Sequence, residues 1–325
     1  MRSISRVLAT CLLALSSIPL AACGGGAAAP APASAPSKGT AANEETHGTF
    51  TRDGAIGTYV STPWGFSTSS YVIEGPTGLV AIDTQFLPSA AEEMIRLAEA
   101  ATKKKLVLAV VLHANPDKFN GTSVFQRHGV KVVTSAQVKA VMPAIHEKRV
   151  KAFFDRYKPD YPTELPAPEV FGDKTTELEA GGVKLKLHVM GPGCSEAHVV
   201  VESSGALFAG DLVASKTHSW LEIGKTDEWL KRLAEMRALK PSRVYPGRGP
   251  GSAASLLDDE EAYLKKVVAI VAAEKPSTKM PEAAQDAAIE RAEKAIVLAY
   301  PDHGFPVFLK IGLPAEWERQ AKAAK

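Results

Sequence analysis

The segment from Leu106 to Lys118 constrains the fold of this chain more than any other part of the sequence. Residues 106–112 form a continuous apolar run with several β-branched side chains, which predicts a strand buried on both faces of a sheet. The run ends in the polar sequence His113-Ala114-Asn115-Pro116-Asp117-Lys118. Because α/β sheets place functional side chains at the carboxyl ends of buried strands, this segment predicts a site.

Strand and helix patterns continue through the rest of the chain. Apolar and alternating runs bounded by glycine and proline predict strands over 55–61, 69–74, 78–83, 130–134, 175–180, 183–189, 199–202, 206–209 and 243–245. Amphipathic periodicity predicts helices over 88–102, 121–127, 135–157, 226–239, 252–273, 283–299 and 314–323. We expect Pro143 to break the helix over 135–157.

Three later loops carry polar residues directly after predicted strands. They are Met190-Gly191-Pro192-Gly193-Cys194-Ser195, Gly210-Asp211 and Pro246-Gly247-Arg248-Gly249-Pro250. Glycine and proline at these positions predict tight turns. Such turns would place the polar side chains at the ends of strands.

The four loops together resemble those of the metallo-β-lactamase superfamily, which includes zinc β-lactamases and glyoxalase II. His113-x-Asn115-x-Asp117-Lys118 is similar to the superfamily's His-x-His-x-Asp-His loop, and Gly210-Asp211 to its Gly-Asp pair. Cys194 and Arg248 stand where the Gly-Pro-Gly-His and Pro-Gly-His-Gly-Pro loops have histidines. The resemblance spans about 54–273. It implies a four-layer αββα sandwich, an α/β fold in which two β-sheets pack face to face with helices outside.

The resemblance also implies which residues stand at the two metal positions. The first metal would face His113, Asn115 and Cys194, of which the imidazole and the thiolate are good zinc ligands and the amide is a poor one. The second metal would face Asp117, Lys118, Asp211 and Arg248. A guanidinium cannot ligate a cation, because it stays protonated and offers no lone pair. We therefore expect the second metal site to be lost.

Charge balance predicts what replaced the second metal. Without metal ions, Asp117 and Asp211 would face each other as like charges, which raises a carboxyl pKa or destabilises the fold. Lys118 and Arg248 add two positive charges, and an arginine can bind a carboxylate bidentately. We therefore expect Arg248 to fill the space of the metal. Asp83, at the end of the first predicted hairpin, either supports the metal loop from behind, as in the superfamily, or only forms a turn.

Three functions fit these residues. In the leading interpretation the domain keeps the fold without a metal cofactor or hydrolytic chemistry, and serves as a binding or structural protein. In the second, one zinc ion binds His113, Cys194 and Asp211 with water as the fourth ligand, and the protein is a mononuclear hydrolase. In the third, Cys194 is a nucleophile, with its thiolate favoured by Lys118 and Arg248 and with His113 as its base.

Aromatic residues in the loops give one indication of the ligand. Trp64, Phe66 and Trp220 lie in loops that the superfamily places over the pocket mouth. They favour an apolar or aromatic ligand, or else they only cover the edge of a sheet. His218 lies in a loop where superfamily members often have a substrate-side histidine, and a surface position is the other expectation.

The start of the chain predicts export and lipid attachment. Arg2 and Arg6 precede an apolar run that is too short to span a bilayer, and Leu20-Ala21-Ala22-Cys23 resembles the bacterial lipobox. We expect residues 1–22 to be a signal peptide and the lipid on Cys23 to anchor the protein to a membrane of the cell envelope.

The mature chain then divides into three parts. Glycine, alanine and proline dominate residues 23–46 and predict a flexible linker. Residues 47–280 carry the superfamily-like domain, and 281–325 a helical extension. Without residues 1–22 the chain has equal numbers of acidic and basic residues, which argues against a nucleic-acid partner.

Replacing Cys23 with serine tests the lipid anchor. The Cys23→Ser protein should move from the membrane fraction to the soluble fraction, because serine offers no thiol for lipid attachment. Cell fractionation and immunoblotting measure the shift, with Cys11→Ser as a matched control that leaves the lipobox intact. A Cys23→Ser protein that still sediments with washed membranes would contradict the anchor.

Overall fold

Two β-sheets packed against each other, with helices outside, form the framework of the protein. A computed structural model describes residues 47–324 of the chain. This mixed α/β architecture confirms the predicted αββα sandwich. The predicted signal peptide, Cys23 and the linker over 23–46 lie outside the described residues.

The first sheet has seven strands that follow one another in chain order. They are β1 (Thr49–Asp53), β2 (Ile56–Val60), β3 (Ser69–Glu74), β4 (Leu79–Ile82), β5 (Leu106–Val110), β6 (Lys131–Ser135) and β7 (Glu169–Gly172). The pairs from β1 to β4 are antiparallel, whereas those from β4 to β7 are parallel. β5 therefore has a parallel neighbour on each side, which explains its continuous apolar sequence.

The second sheet has five strands in the order β12-β11-β10-β9-β8. They are β8 (Thr176–Ala180), β9 (Val183–Met190), β10 (His198–Ser203), β11 (Ala206–Ala214) and β12 (Arg243–Arg248). β8 to β11 pair antiparallel, and β12 joins β11 in parallel. This last pairing sets Gly210 on β11 beside Pro246 on β12, and so brings two of the predicted site loops together.

Eight α-helices of the described residues cover the sheets. They are α1 (Pro88–Thr102), α2 (Pro116–Phe119), α3 (Thr122–Arg127), α4 (Ala136–Tyr157), α5 (Thr226–Ala238), α6 (Leu256–Ala273), α7 (Glu282–Ala299) and α8 (Val307–Ala323). α1 has the predicted bounds, and its buried face repeats every three to four residues, as an amphipathic helix requires. Within residues 47–324, no helix has the length and apolar character needed to cross a bilayer.

The main hydrophobic core fills the space between the sheets. Tyr71 of β3 packs against Phe208 and Tyr245 of the second sheet, with ring centroids 5.4 and 5.1 Å apart. Alternation along β9 points Leu185 and Leu187 into the same core. Apolar burial and aromatic contacts of this kind hold the two sheets face to face.

A second hydrophobic core lies on the other side of the second sheet and includes the C-terminal extension. Trp229 of α5 and Val267 of α6 meet Ile296 of α7 and Trp317 of α8 there. All four side chains are at most 1% exposed. The helices predicted over 281–325 therefore pack as part of the folded domain.

The structure departs from the sequence prediction in several elements. β11 continues to Ala214 and β12 to Arg248, so Asp211 and Arg248 lie in strands and not in the predicted loops. α4 runs through Pro143 without a break, because its buried face continues on both sides of this exposed proline. α8 begins at Val307 instead of 314, because the buried residues Phe308 and Leu309 hold its first turn in place. β1 and β7 were not predicted, since they are edge strands with little buried surface and therefore a weak pattern.

Candidate functional site

Asp83 holds the loop that follows β5. It lies directly after β4 with a backbone φ of 65°, and its Oδ1 accepts a hydrogen bond of 2.8 Å from the Leu112 backbone N–H. Burial raises the pKa of Asp83 to about 8, and the nearby Lys118 ammonium limits the rise. The side chain thus fixes the chain one residue before His113, which fits the supporting role that the resemblance implies.

Two glycines let β11 and β12 bring Asp211 and Arg248 together. Gly210 adopts a φ of 56° directly before Asp211, a conformation that glycine reaches without strain. A Cβ at Gly247 would lie only 2.0 Å from Asp211 Oδ1, so the close approach of β12 requires a glycine there. The backbone conformation at Gly210 and the close approach at Gly247 therefore explain why a glycine precedes both Asp211 and Arg248.

Asp117, Lys118, Asp211 and Arg248 form a buried cluster that we call the ion-pair quartet. Arg248 Nη2 donates to Asp117 Oδ2 at 2.6 Å, and Arg248 Nη1 donates to Asp211 Oδ2 at 2.8 Å. Lys118 Nζ lies 2.8 Å from Asp211 Oδ1 and 3.1 Å from Asp117 Oδ2. Each cation contacts both carboxylates, as the charge balance of the sequence predicts.

The charges of the quartet stabilise one another. Burial alone would raise the pKa of Asp117 and of Asp211, but the Arg248 guanidinium and the Lys118 ammonium hold both pKa values below their usual range. Burial would lower the pKa of Lys118, but the two carboxylates raise it. All four groups are therefore charged at neutral pH, and the quartet as a whole is neutral.

His113, Cys194 and His198 form a second buried group, the His–Cys–His cluster, next to the quartet. One donor atom from each side chain lies within 4.8 Å of the other two. Cys194 Sγ is 3.8 Å from His198 Nε2, which accepts a hydrogen bond of 3.1 Å from the Ser195 backbone N–H. His113 Nδ1 is hydrogen-bonded to Ser195 Oγ at 3.0 Å, and its Nε2 lies 3.6 Å from Asp211 Oδ2.

His198 belongs to the site although no sequence motif predicts it. The motifs predict a group of His113, Cys194 and Asp211, whereas the structure places Asp211 in the quartet and His198 beside the other two. The spacing Cys194-x-x-x-His198 is a usable signal, because the loop turns back into β10 and His198 is the first residue of that strand. An isolated bridge also pairs His113 with His198.

Cys194 lies in an environment that keeps its thiol protonated. Its side chain is 1% exposed, and burial raises the pKa of the thiol well above its ordinary value, with a further rise from Asp211. The positive charges of Lys118 and Arg248 offset only part of this rise in the thiol pKa. Because the thiolate is the reactive form, the structure argues against Cys194 as a nucleophile.

A small pocket, the aromatic pocket, borders the quartet. Its walls are the rings of Phe66, Phe86, Phe153, Trp220 and Phe308. The polar residues that line it are Asn115, Asp117, Arg149, Asp211 and Arg248. The pocket offers about 40 Å³ to the centres of water molecules, which is room for about three waters. No member of the His–Cys–His cluster lines it.

The aromatic predictions agree with this pocket in part. Phe66 and Trp220 line it, whereas Trp64 is 45% exposed and lies against the Arg156 guanidinium at 4.9 Å. His218 is neither on the surface nor in the pocket, because it is buried and hydrogen-bonded through Nδ1 to the Tyr263 hydroxyl at 2.9 Å.

Comparison with known sequences assigns the fold to a family. The family model of the metallo-β-lactamase superfamily matches residues 63–248. The chain belongs to the metallo-β-lactamase superfamily. The matched segment contains the whole quartet and the whole His–Cys–His cluster, whereas Phe308 of the pocket lies beyond it.

Solved metallo-β-lactamases share the fold. The match to the enzyme from Pontibacter korlensis has 23% identity and a TM-score of 0.56, and covers 67% of this chain and 99% of that one. The match to the enzyme from Hirschia baltica has 20% identity and a TM-score of 0.53, and covers 67% of this chain and 97% of that one. The match to the mono-zinc form of FIM-1 from Pseudomonas aeruginosa has 18% identity and a TM-score of 0.53, and covers 67% of this chain and 95% of that one. At these identities the likeness establishes the fold alone.

The residues that the resemblance places at the second metal position do not fit a zinc ion. These residues form the quartet, and both of its carboxylates are already paired with Arg248 and Lys118. A guanidinium has no lone pair to offer a metal, and its positive charge would repel one.

The His–Cys–His cluster, which contains two of the residues that the resemblance assigns to the first metal, fits one zinc ion better. His113, Cys194 and His198 supply two imidazoles and a thiol, a donor set that zinc accepts. The 3.8 Å between Cys194 Sγ and His198 Nε2 is close to the roughly 3.6 Å that separates sulfur and nitrogen in a tetrahedral zinc site. All three side chains are buried away from the pocket, however, whereas a catalytic zinc keeps one position open to the substrate.

Removing Arg248 tests the quartet. Arg248→Ala leaves Asp117 and Asp211 with only Lys118 between them, so the free energy of unfolding at pH 7 should fall by about 3 kcal/mol. A paired Asp has a folded pKa below its unfolded value of about 3.9, so its stabilisation is present above that value and is lost as the pH falls through the folded pKa. The loss of unfolding free energy caused by Arg248→Ala should therefore be smaller in acid than at pH 7. Urea unfolding in acid and at pH 7 measures the two values.

Two further variants make this test specific. Adding Asp211→Asn to Arg248→Ala should restore much of the lost stability, because it removes one of the two facing charges. Arg243→Ala removes a half-exposed arginine of the same strand, paired with Asp53, and should change the stability far less than Arg248→Ala. An Arg248→Ala protein as stable as the wild type, without coupling to Asp211, would contradict the quartet.

Proposed function

We propose that this protein is a lipid-anchored binding protein of the bacterial cell envelope that uses the metallo-β-lactamase fold without zinc-dependent hydrolysis. One observation carries the proposal: the Arg248 guanidinium contacts Asp117 at 2.6 Å and Asp211 at 2.8 Å, where a second metal would need both carboxylates. Two-metal hydrolysis depends on metal ions that activate water and stabilise developing charge. A guanidinium fixed between two carboxylates cannot generate a hydroxide.

The relative positions of the aromatic pocket, the quartet and the His–Cys–His cluster support the same function. A ligand in the aromatic pocket meets Asn115 and the quartet, and the His–Cys–His cluster lies outside the lining of that pocket. The quartet is neutral and fixed by four ion pairs, so it forms a rigid polar part of the pocket lining. Rigid polar groups beside aromatic walls are typical of sites that bind and orient a small molecule.

The anchor is the second part of the proposal. Lipid on Cys23 would hold the protein at the membrane, and the Gly-, Ala- and Pro-rich residues 23–46 would separate the domain from it. A flexible chain of this length has a root-mean-square span of roughly 25 Å. The domain would then reach ligands close to the membrane surface of the envelope.

A mononuclear zinc hydrolase is the second candidate function. The His–Cys–His cluster favours it, with His198 taking the place that the sequence analysis gives to Asp211. His113, Cys194 and His198 would hold the zinc ion, with Cys194 bound as the thiolate, and the ion would supply Lewis-acid chemistry. The burial of all three side chains argues for the binding protein instead.

Metal analysis separates the two candidates. The domain purified without chelator should contain well under one equivalent of zinc, and a chelator should leave its melting temperature unchanged, since nothing in its stability would depend on zinc. Elemental analysis and thermal unfolding measure these values, with a zinc β-lactamase handled in parallel as the positive control. Stoichiometric zinc, lost together with stability on chelation and in His198→Ala, would favour the hydrolase.

A further inference from the structure

The His–Cys–His cluster contains buried ring nitrogens without a hydrogen-bond partner. His113 Nε2 and His198 Nδ1 have no such partner among residues 47–324, and both side chains are fully buried. Asp211 Oδ2, at 3.6 Å from His113 Nε2, is too far away for a hydrogen bond. Because a buried polar atom that stays unpaired is costly, the free His113 Nε2 indicates a ligand at the cluster.

The contact with Ser195 prepares His113 to bind a metal ion. A metal-binding histidine usually donates its other ring N–H to a neighbouring oxygen, which fixes the tautomer. When His113 Nδ1 donates to Ser195 Oγ, at 3.0 Å, the lone pair that a cation needs is on Nε2. His198 Nε2 accepts a hydrogen bond from the Ser195 backbone N–H, and a metal ion would replace that hydrogen bond.

The donors of the cluster have the spacing of a three-coordinate site. One donor atom from each of His113, Cys194 and His198 lies within 4.8 Å of the other two, and Cys194 Sγ is 3.8 Å from His198 Nε2. A planar site with metal–ligand bonds of about 2.0 to 2.3 Å separates its donors by about 3.5 to 3.7 Å. Small movements of the side chains would therefore bring all three donors onto one ion.

A fourth ligand is missing for zinc. Structural zinc sites take four protein ligands, and catalytic zinc sites take three and an open position for water. Asp211 is already paired with Arg248 and Lys118, and the cluster does not line the aromatic pocket. Two histidines and one cysteine in a trigonal arrangement are instead the ligand set that proteins use for copper.

The charge balance of the buried cluster also separates copper(I) from zinc. Two neutral imidazoles and one thiolate carry a single negative charge, which copper(I) cancels and zinc exceeds by one. The adjacent quartet is itself neutral, so it has no spare negative charge to balance the excess. A net charge that is buried without a partner is costly, and a thiolate is a soft ligand that favours copper(I).

We infer that His113, Cys194 and His198 bind one copper(I) ion in a closed three-coordinate site. As the copper–sulfur bond forms, the Cys194 S–H bond breaks and its proton passes to the solvent, and no electron is transferred. Because the donors are buried, the ion would enter during folding or local opening. The inference goes beyond the proposed function, since it does not involve the ligand of the aromatic pocket.

Refolding with copper(I) tests the inference. The full chain with Cys11→Ser and Cys23→Ser keeps Cys194 as its single thiol. Refolded without oxygen in the presence of equal concentrations of copper(I) and zinc, and then desalted, it should retain about one copper per chain and little zinc. X-ray absorption at the copper edge should show one sulfur and two nitrogen neighbours. No retained copper, a preference for zinc, or a copper ion without a sulfur neighbour would overturn the inference.

Variants in the same background locate the ligands. Cys194→Ser and His198→Gln should each weaken copper(I) binding at least about tenfold, as measured by competition with a colorimetric copper(I) chelator. His188→Gln is the matched control, because His188 belongs to the same sheet, pairs with Glu202 and lies outside the cluster, and it should leave the affinity unchanged. Circular dichroism checks that each variant folds. Copper(I) affinity that survives both ligand variants in folded protein would overturn the inference.

The outcome is distinguishable from a failure of the proposed function. Hydrolysis that depends on added zinc would overturn the binding-protein proposal, whereas the ratio of copper to zinc bound at the cluster tests only this inference. A protein that retains neither metal and does not hydrolyse keeps the proposed function and loses only the copper site.

Discussion

The contact of one guanidinium with two carboxylates underlies the rest of this structure. Asp117 comes from α2, which follows β5 of the first sheet, whereas Asp211 and Arg248 come from β11 and β12 of the second. The ion pairs therefore join the two sheets at one edge of the sandwich. Two buried carboxylates this close would repel each other strongly without cations. Arg248 and Lys118 supply those charges and allow both acids to stay ionised.

This arrangement is also the basis for our proposal that the domain binds a ligand without hydrolysing it. The pocket meets a neutral, rigid quartet, and the His–Cys–His cluster lies outside the pocket lining. Phe308 of α8, beyond the segment matched by the superfamily model, completes the pocket wall and packs its ring 5.3 Å from the Arg248 guanidinium. The C-terminal extension therefore contributes to the site as well as to the core.

The sequence predicts the parts of this site that local patterns carry. The apolar run of β5, the helix α1 and the positions of Asp117, Asp211 and Arg248 follow from strand patterning and from motif spacing. His198 and Arg149 do not, because their roles depend on contacts with residues far away in the chain: Arg149 meets Glu222 and Trp220 only after α4 has packed against the loop after β11. The edge strands β1 and β7 are mostly exposed, so their sequences carry no strong apolar pattern.

A crystal of the domain grown with excess zinc would show whether Arg248 excludes a metal ion from Asp117 and Asp211. Anomalous scattering at the zinc absorption edge locates bound zinc independently of any refined atom. We predict no zinc peak between Asp117 and Asp211, with Arg248 still in contact with both carboxylates. A zinc peak held by these two carboxylates, with the Arg248 guanidinium displaced, would contradict it.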